Sequence, residues 1–382
     1  MDTLLTTKFH FPPVRSNIVS RPRLIESLNA GLRGPLTLIA APAGYGKTTL
    51  MCEWRNGYGR GMPVAWLSFD ESDNDPIRFW YYMVSALDTL QPTTLGDVLA
   101  LLGSSQRPPI ETFLAVLINQ LDTFPKDFVL SLDDVHFLSE SEIFQGIDFF
   151  LEHMPPQMHL VLLTRADPPL PISRLRERGH FVEIRARDLS FTHDEAIAFL
   201  NDVMKLDLSH SDISALEART EGWIGGLQMA ALSLKGRQDV DSFITAFTGS
   251  HHYIIDYLAE EVLNRQPNYL REFLLKTSIL ERLTGSLCDA LTGRTDGQAT
   301  LELLAKSNLF LISLDDERRW YRYHHLFSDV LQNQLRIQFA NDFMLFHQQA
   351  AAWYEKNHHT KLALDHALVA NDFDLASQLF YK

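Results

Sequence analysis

Five short apolar runs, rich in β-branched residues, punctuate the first half of the chain: Leu36–Ala40, Val64–Ser68, 128–132, 159–163 and 181–184. Three of them lack alternation of apolar and polar positions, the pattern of strands covered on both faces. Helical patterns separate the runs, which predicts crossover connections and a parallel sheet. Past about residue 188 strand signals nearly vanish. Thr192, with Glu195 three residues on, reads as a capping box opening a helical stretch that runs to about Gly249. A second helical group extends from about Tyr253 to Leu304. It is followed by an apolar run at 309–314, a charged turn at 315–319 and an aromatic run at 320–324. Helices followed by such a hairpin predict a winged helix. Farther on, Phe346, Ala350, Trp353 and Tyr354 recur at helical spacing, and Leu364, Ala367, Leu368, Leu375 and Leu379 continue the pattern. The predicted organisation is an α/β domain with a parallel sheet over 1–190, an all-α helical domain over 191–252, a winged helix over 253–338, and over 339–382 the start of a helical-repeat array. Later members of that array are expected to lie outside this chain.

Composition narrows the class. Of 382 residues, 46% are hydrophobic and 21% charged, enough for several packed cores. The formal net charge of −14 disfavours non-specific binding to nucleic acid or anionic lipid by the chain alone. Two cysteines, Cys52 and Cys288, exclude a disulfide framework and a cysteine-based zinc site, and suggest a reducing compartment. No apolar run approaches the ~20 residues needed to span a bilayer. The opening residues, MDTLLTTKFHFPP, are not a secretory signal. The expectation is a cytoplasmic protein without membrane contact.

The candidate chemistry begins after the first strand. Residues 41–49, APAGYGKTT, lie between a strand and a helix, the setting of a phosphate-binding P-loop. Backbone N–H groups of Ala43, Gly44, Tyr45, Gly46, Lys47 and Thr48 can wrap phosphates at the positive end of the helix, where Thr49 follows. Lys47 supplies a charge to the β- and γ-phosphates and Thr48 a hydroxyl to Mg²⁺. Ala41 stands where a P-loop usually opens with glycine. Asp133, at the end of the third strand, is assigned to the Mg²⁺ shell through water. Asp134 is assigned to orient or deprotonate the attacking water; the plainer alternative is a pair of helix caps. Arg165, just after the fourth strand, is placed to sense a γ-phosphate, with a surface ion pair as the alternative. Arg174, Arg176 and Arg178 are candidates for an arginine offered to a neighbouring molecule's nucleotide; a solvated basic helix face is preferred.

In order along the chain, APAGYGKTT (41–49), LDDVH (132–136), DLSFTHDE (188–195), TEGWIGGLQMAALSL (220–234), YLAEEVL (257–263), FLLKTSIL (273–280) and YHHLF (323–327) resemble the MalT-like large ATP-binding regulators of the LuxR type. These belong to the STAND class of signal-transduction ATPases. The stretches 350–355 and 364–370 extend the likeness over nearly the whole chain. The resemblance implies a P-loop NTPase domain, a helical domain, a winged helix and the start of a superhelical sensor. It implies slow hydrolysis of ATP in a switch, an ADP-bound closed monomer and an ATP-bound form that self-associates. It also implies an inducer, small molecule or protein, bound by the helical repeats, and DNA contact only through an output domain that this chain does not contain. By resemblance, Arg21 falls in the segment that touches adenine, and His324 matches the winged-helix histidine that reaches the β-phosphate of ADP. Gln228 departs from related switches, which carry an adenine-packing proline at that place, and Trp223 reads as core. A motor-type P-loop ATPase remodelling protein or nucleic acid, and a nucleotide-free scaffold, are the competing classes.

Overall fold

The computed structural model describes residues 4–13, 18–59, 61–104, 108–177, 179, 181–237, 239–247, 249 and 251–380. The chain divides into two compact units, Met1–Ser190 and Phe191–Lys382.

The first unit is built on strands β1 (Leu36–Ala40), β2 (Val64–Ser68), β3 (Phe128–Asp133), β4 (Met158–Thr164) and β5 (Phe181–Arg185), all parallel, in the order β2-β3-β4-β1-β5. Every residue of β1, β3 and β4 is buried. β5, at the edge, is mostly half-buried. Helices cross between the strands, as parallel pairing demands. On one side Pro76–Asp88, Ile110–Leu121 and Ser141–His153 share an aromatic core in which Trp80 meets Phe79 and Phe113 edge-on, with centroids 4.9 and 6.0 Å apart. Gly146 is required there: a Cβ would lie 2.7 Å from the Trp80 ring. The strand order matters for function. β4 lies between β1 and β3, so the residues leaving its C-terminal end stand between those leaving the other two.

The second unit opens with the capping box foreseen at Thr192, whose side chain accepts from the Glu195 N–H. The helices His210–Thr220 and Ile224–Leu234 follow. Asn268–Thr277, Gly285–Thr292 and Gly297–Lys306 then lead into β6 (Leu311–Ser313) and β7 (Tyr321–Tyr323), an antiparallel pair in which Leu311 faces Tyr323. The Asp315 carboxylate ties the connecting turn by accepting from the N–H groups of Arg319 and Trp320 at 2.9 and 3.0 Å. Helix His325–Gln338 completes this winged element. Helices Phe343–Lys356, Thr360–Val369 and Phe373–Phe380 meet through the small buried residues Ala351, Ala367 and Ala376.

Candidate nucleotide site

β1 ends at Ala40 and the chain turns over residues 41–46 into the helix Lys47–Gly57. Gly44 and Gly46 have φ of 78° and 77°, a left-handed conformation open to glycine at no steric cost. Ala41 needs no such freedom: its N–H continues the sheet by donating to the Thr164 carbonyl at 3.2 Å. Alanine for glycine at that place is therefore tolerated. Lys47 Nζ donates to the carbonyls of Ala41 (2.9 Å) and Pro42 (3.0 Å), which hold the ammonium over the loop. Burial pushes Lys47 down to about 8; the nearby Arg165 charge adds to this, and Asp133 and Asp134 oppose it. Ala43 and Tyr45 are buried, whereas Thr49 is exposed.

Thr48 Oγ1 donates to Asp133 Oδ2 at 2.9 Å, and the Asp134 N–H donates to Asp133 Oδ1 at 2.9 Å. Asp133 is buried, and burial pushes its carboxyl up to about 7. The Asp134 charge adds to the shift, and Thr48, the Asp134 N–H and Lys47 counter it. Asp134 takes a left-handed φ of 58° and makes no side-chain cap to the short turn Val135–Phe137, so capping does not account for it. Its side chain is 39% exposed, with Oδ1 at 3.7 Å from His136 Nδ1. Arg165 follows β4 directly. Lys47, Thr48, Asp133, Asp134 and Arg165 thus gather at the C-terminal edge of the sheet, where ligands of open α/β sheets bind.

The other candidates in this unit have the following partners. Arg21 is buried, and its guanidinium donates to the carbonyls of Asp188, Leu189 and Ser190, fastening the start of helix Pro22–Gly31 to the segment after β5. Arg174 pairs with Asp148 at 2.7 Å and Glu152 at 2.8 Å, and Arg176 pairs with Glu183. Both pair with carboxylates of their own unit. Arg178 lies outside the described residues.

In the second unit His324 is 1% exposed. Its Nε2 lies 2.9 Å from the Thr220 carbonyl, while Nδ1 has no hydrogen-bond partner among the described residues. Trp223, fully buried, and Phe310 stand edge-on to the ring, with centroids 6.0 and 5.6 Å away. Trp223 is core, as expected. Burial pushes His324 below its usual range, against the Glu221 carboxylate and the Thr220 carbonyl.

Two further residues, which sequence reasoning did not single out, frame this histidine. Glu221, left-handed at φ 51°, accepts both Nη atoms of Arg322 at 2.8 and 2.7 Å and the His325 N–H at 2.9 Å. Its carboxyl is held at about 2: Arg322 and the other cationic and N–H partners outweigh the opposing burial. The only sequence signal was charge beside aromatics in two stretches about a hundred residues apart, TEGW and YRYHH.

Comparison with known proteins gives the chain's relatives. Residues 259–343 match the model for the MalT winged helix domain. The serine/threonine-protein kinase PknK of Mycobacterium tuberculosis is 35% identical over 370 residues, 96% of this chain and 33% of that protein. The HTH-type transcriptional regulator MalT of Serratia proteamaculans is 33% identical over 383 residues, 99% of this chain and 42% of the regulator. The chain therefore spans about a third to two fifths of the length of these relatives. A solved STAND protein with a tetratricopeptide repeat sensor, from Pyrococcus horikoshii, aligns with 97% of this chain and 51% of its own, at 14% identity and a TM-score of 0.45. The chain thus carries a P-loop on a five-stranded parallel sheet and a MalT winged helix, and is similar to MalT regulators along nearly its whole length.

Proposed function

We propose that the chain is the ATP- and ADP-binding switch of an inducer-responsive transcription regulator, with slow hydrolysis resetting it. The observation that carries this reading is the Thr48–Asp133 hydrogen bond beside Lys47 and Arg165 at the end of β4. Hard oxygen donors of this kind fit Mg²⁺, which uses few protein ligands and completes its shell with water and phosphate oxygens. Thr48 and, through water, Asp133 hold the metal, whose charge stabilises the phosphoryl oxygens. A raised Asp133 carboxyl suits the site, because a nearby cation favours its ionised form.

Lys47 exchanges its loop carbonyls for the β- and γ-phosphates. Asp134 orients the attacking water, and Arg165 reads the γ-phosphate. Positioning and charge stabilisation suffice for a slow reaction. In the resting state His324 hydrogen-bonds the β-phosphate of ADP and favours a closed monomer; ATP favours a self-associating form. Each nucleotide shifts the equilibrium only by its differential affinity for the two forms. The helices after Gln338 belong to the part that takes the inducer. DNA contact rests on the likeness to HTH-type transcriptional regulators and not on this acidic chain. Buried, unpaired cysteines and the absence, among the described residues, of a helix long and apolar enough to cross a membrane accompany a cytoplasmic assignment.

The test combines two aspartate variants with sedimentation. Asp134→Asn retains ATP binding and loses turnover, whereas Asp133→Asn weakens Mg²⁺-dependent binding. Wild-type chain sediments as larger species with ATP than with ADP. Fast turnover stimulated by a nucleic-acid or protein polymer would replace the switch by a motor.

A further inference from the structure

At the C-terminal edge of the sheet, one ion pair joins elements that the strand order keeps apart. β1 lies between β4 and β5, and Ala40, its last residue, pairs with Thr164 on one side and Arg185 on the other. Thr164 and Arg185 therefore stand two strand spacings apart, roughly 10 Å. The Arg185 guanidinium nevertheless donates to the carboxylate of Asp167, in the loop that follows Thr164. The bridge spans the end of β1, where the chain leaves for the P-loop.

Both ends of the bridge are anchored. Arg185 Nε donates to Glu183 Oε2 at 2.8 Å, and the Arg185 backbone N–H donates to Asp188 Oδ2 at 2.8 Å. Arg21 and Arg23 in turn hold the carbonyls of Asp188 and Ser190. On the other side, Thr164 Oγ1 donates to the Ala166 carbonyl at 2.6 Å and accepts from the Ala166 N–H at 3.2 Å, which closes a bend around Arg165. The Thr164 carbonyl accepts the Ala41 N–H at 3.2 Å. Arg165 is thus carried on a bend pinned to β5 through Asp167 and to the first residue of the P-loop through Thr164. The Arg185 and Asp167 side chains are 23% and 30% exposed, so solvent screens their pairing less than that of surface ions.

Such a bridge does two things for a cation beside phosphates. It fixes the backbone from which Arg165 reaches out. It also neutralises a neighbouring carboxylate that, unpaired, would repel a γ-phosphate and compete for the Arg165 guanidinium. We infer that Arg185 and Asp167 are positioning residues for Arg165, and that the chain tells ATP from ADP through their ion pair. The inference rests on the reading that Arg165 meets the γ-phosphate. ADP lacks that group, so the pair contributes to the binding and turnover of ATP and not to the binding of ADP.

The experiment compares Arg185→Gln, Asp167→Asn and the double variant with wild type. Calorimetry gives the affinities for MgADP and for a non-hydrolysable MgATP analogue; kcat and KM for ATP and the melting temperature are measured beside them. Asp167→Asn should weaken analogue binding and lower kcat about threefold. Arg185→Gln leaves the carboxylate unpaired and should cost about tenfold or more. The double variant should recover to the level of Asp167→Asn, because the repelling charge is gone, while MgADP affinity stays within about twofold throughout. Arg185→Lys keeps the charge without the planar fork; it should fall between wild type and Arg185→Gln, and it serves if Arg185→Gln does not fold. Equal losses for both nucleotides with a lower melting temperature make the pair structural and overturn the inference. A loss in Arg185→Gln that the double variant retains also overturns it, by putting Arg185 itself on the phosphate. Arg165→Ala separates the inference from the reading beneath it. If that variant weakens analogue binding and the pair variants do not, only the inference falls. If it changes neither analogue affinity nor turnover, the reading of Arg165 falls with it.

Discussion

Asp133 illustrates how a single buried carboxylate is kept for a ligand at a cost to the fold. It is 4% exposed, it faces Asp134, and the hydroxyl of Thr48 and one N–H are its direct hydrogen-bond partners. A carboxyl pushed up to about 7 binds its proton more tightly folded than unfolded. Between the ordinary ~4 and about 7 the native state therefore holds more protons than the unfolded chain, and stability falls as pH rises through that window. Removing the charge relieves the penalty. Without nucleotide, Asp133→Asn should be more stable than wild type at pH 8 by on the order of 2 kcal/mol, and no more stable near pH 4. Urea denaturation at the two pH values checks this. A variant equally or less stable at pH 8 would mean that Lys47 neutralises the site even without a ligand. The same substitution should weaken Mg²⁺-dependent nucleotide binding, so stability and function move in opposite directions at one residue.

Between elements, the joint of helix His210–Thr220, β7 and helix His325–Gln338 depends on Glu221. Its carboxyl, at about 2, lies below its ordinary ~4.3, so the unfolded chain binds the proton more tightly. The joint's contribution is present above the ordinary value and is lost as pH falls from there toward about 2. Glu221→Gln should cost about 2 kcal/mol at pH 7, a figure discounted for partial exposure, and the gap should narrow steadily as pH falls toward about 2. Denaturant melts across that range measure it; a gap that persists in acid would place the effect in side-chain shape and not charge. Such a joint was not legible in sequence, because its partners are about a hundred residues apart and charge leaves no periodic trace. What was legible is local. The five apolar runs marked the strands of the parallel sheet, and the Thr192–Glu195 spacing marked the capping box. The charged turn after residue 314 gave the β6–β7 hairpin. The phosphate loop was legible for the same reason, since Gly44, Gly46, Lys47 and Thr48 act within one turn of chain. That Asp133 would meet the Thr48 hydroxyl needed the strand order, which places β3 one strand away from β1. The role of Arg174 and Arg176 needed their ion-pair partners on other elements.

At the scale of the molecule, the chain divides into the compact units Met1–Ser190 and Phe191–Lys382, and the expected outcome on heating is one cooperative transition for each. The P-loop, Asp133 and Arg165 lie in the first, and His324 and Glu221 in the second. A ligand that binds only native protein raises stability by about 2.7 kcal/mol at a hundred times its dissociation constant. A nucleotide held by the P-loop alone can raise only the first transition. A nucleotide that also hydrogen-bonds His324 must raise the second, since unfolding either unit then loses contacts. The switch reading expects a difference between nucleotides: MgADP raises both transitions in scanning calorimetry, and MgATP raises mainly the first. Lys47→Ala, which removes the charge aimed at the β- and γ-phosphates, should abolish both shifts while leaving the second unit's melting temperature without nucleotide unchanged. His324→Asn should leave the first shift and shrink the second. If MgADP and MgATP raise the first transition alone and equally, the two nucleotides are not distinguished through the winged helix. The ADP-held resting state would then have to be given up, with the P-loop assignment left intact.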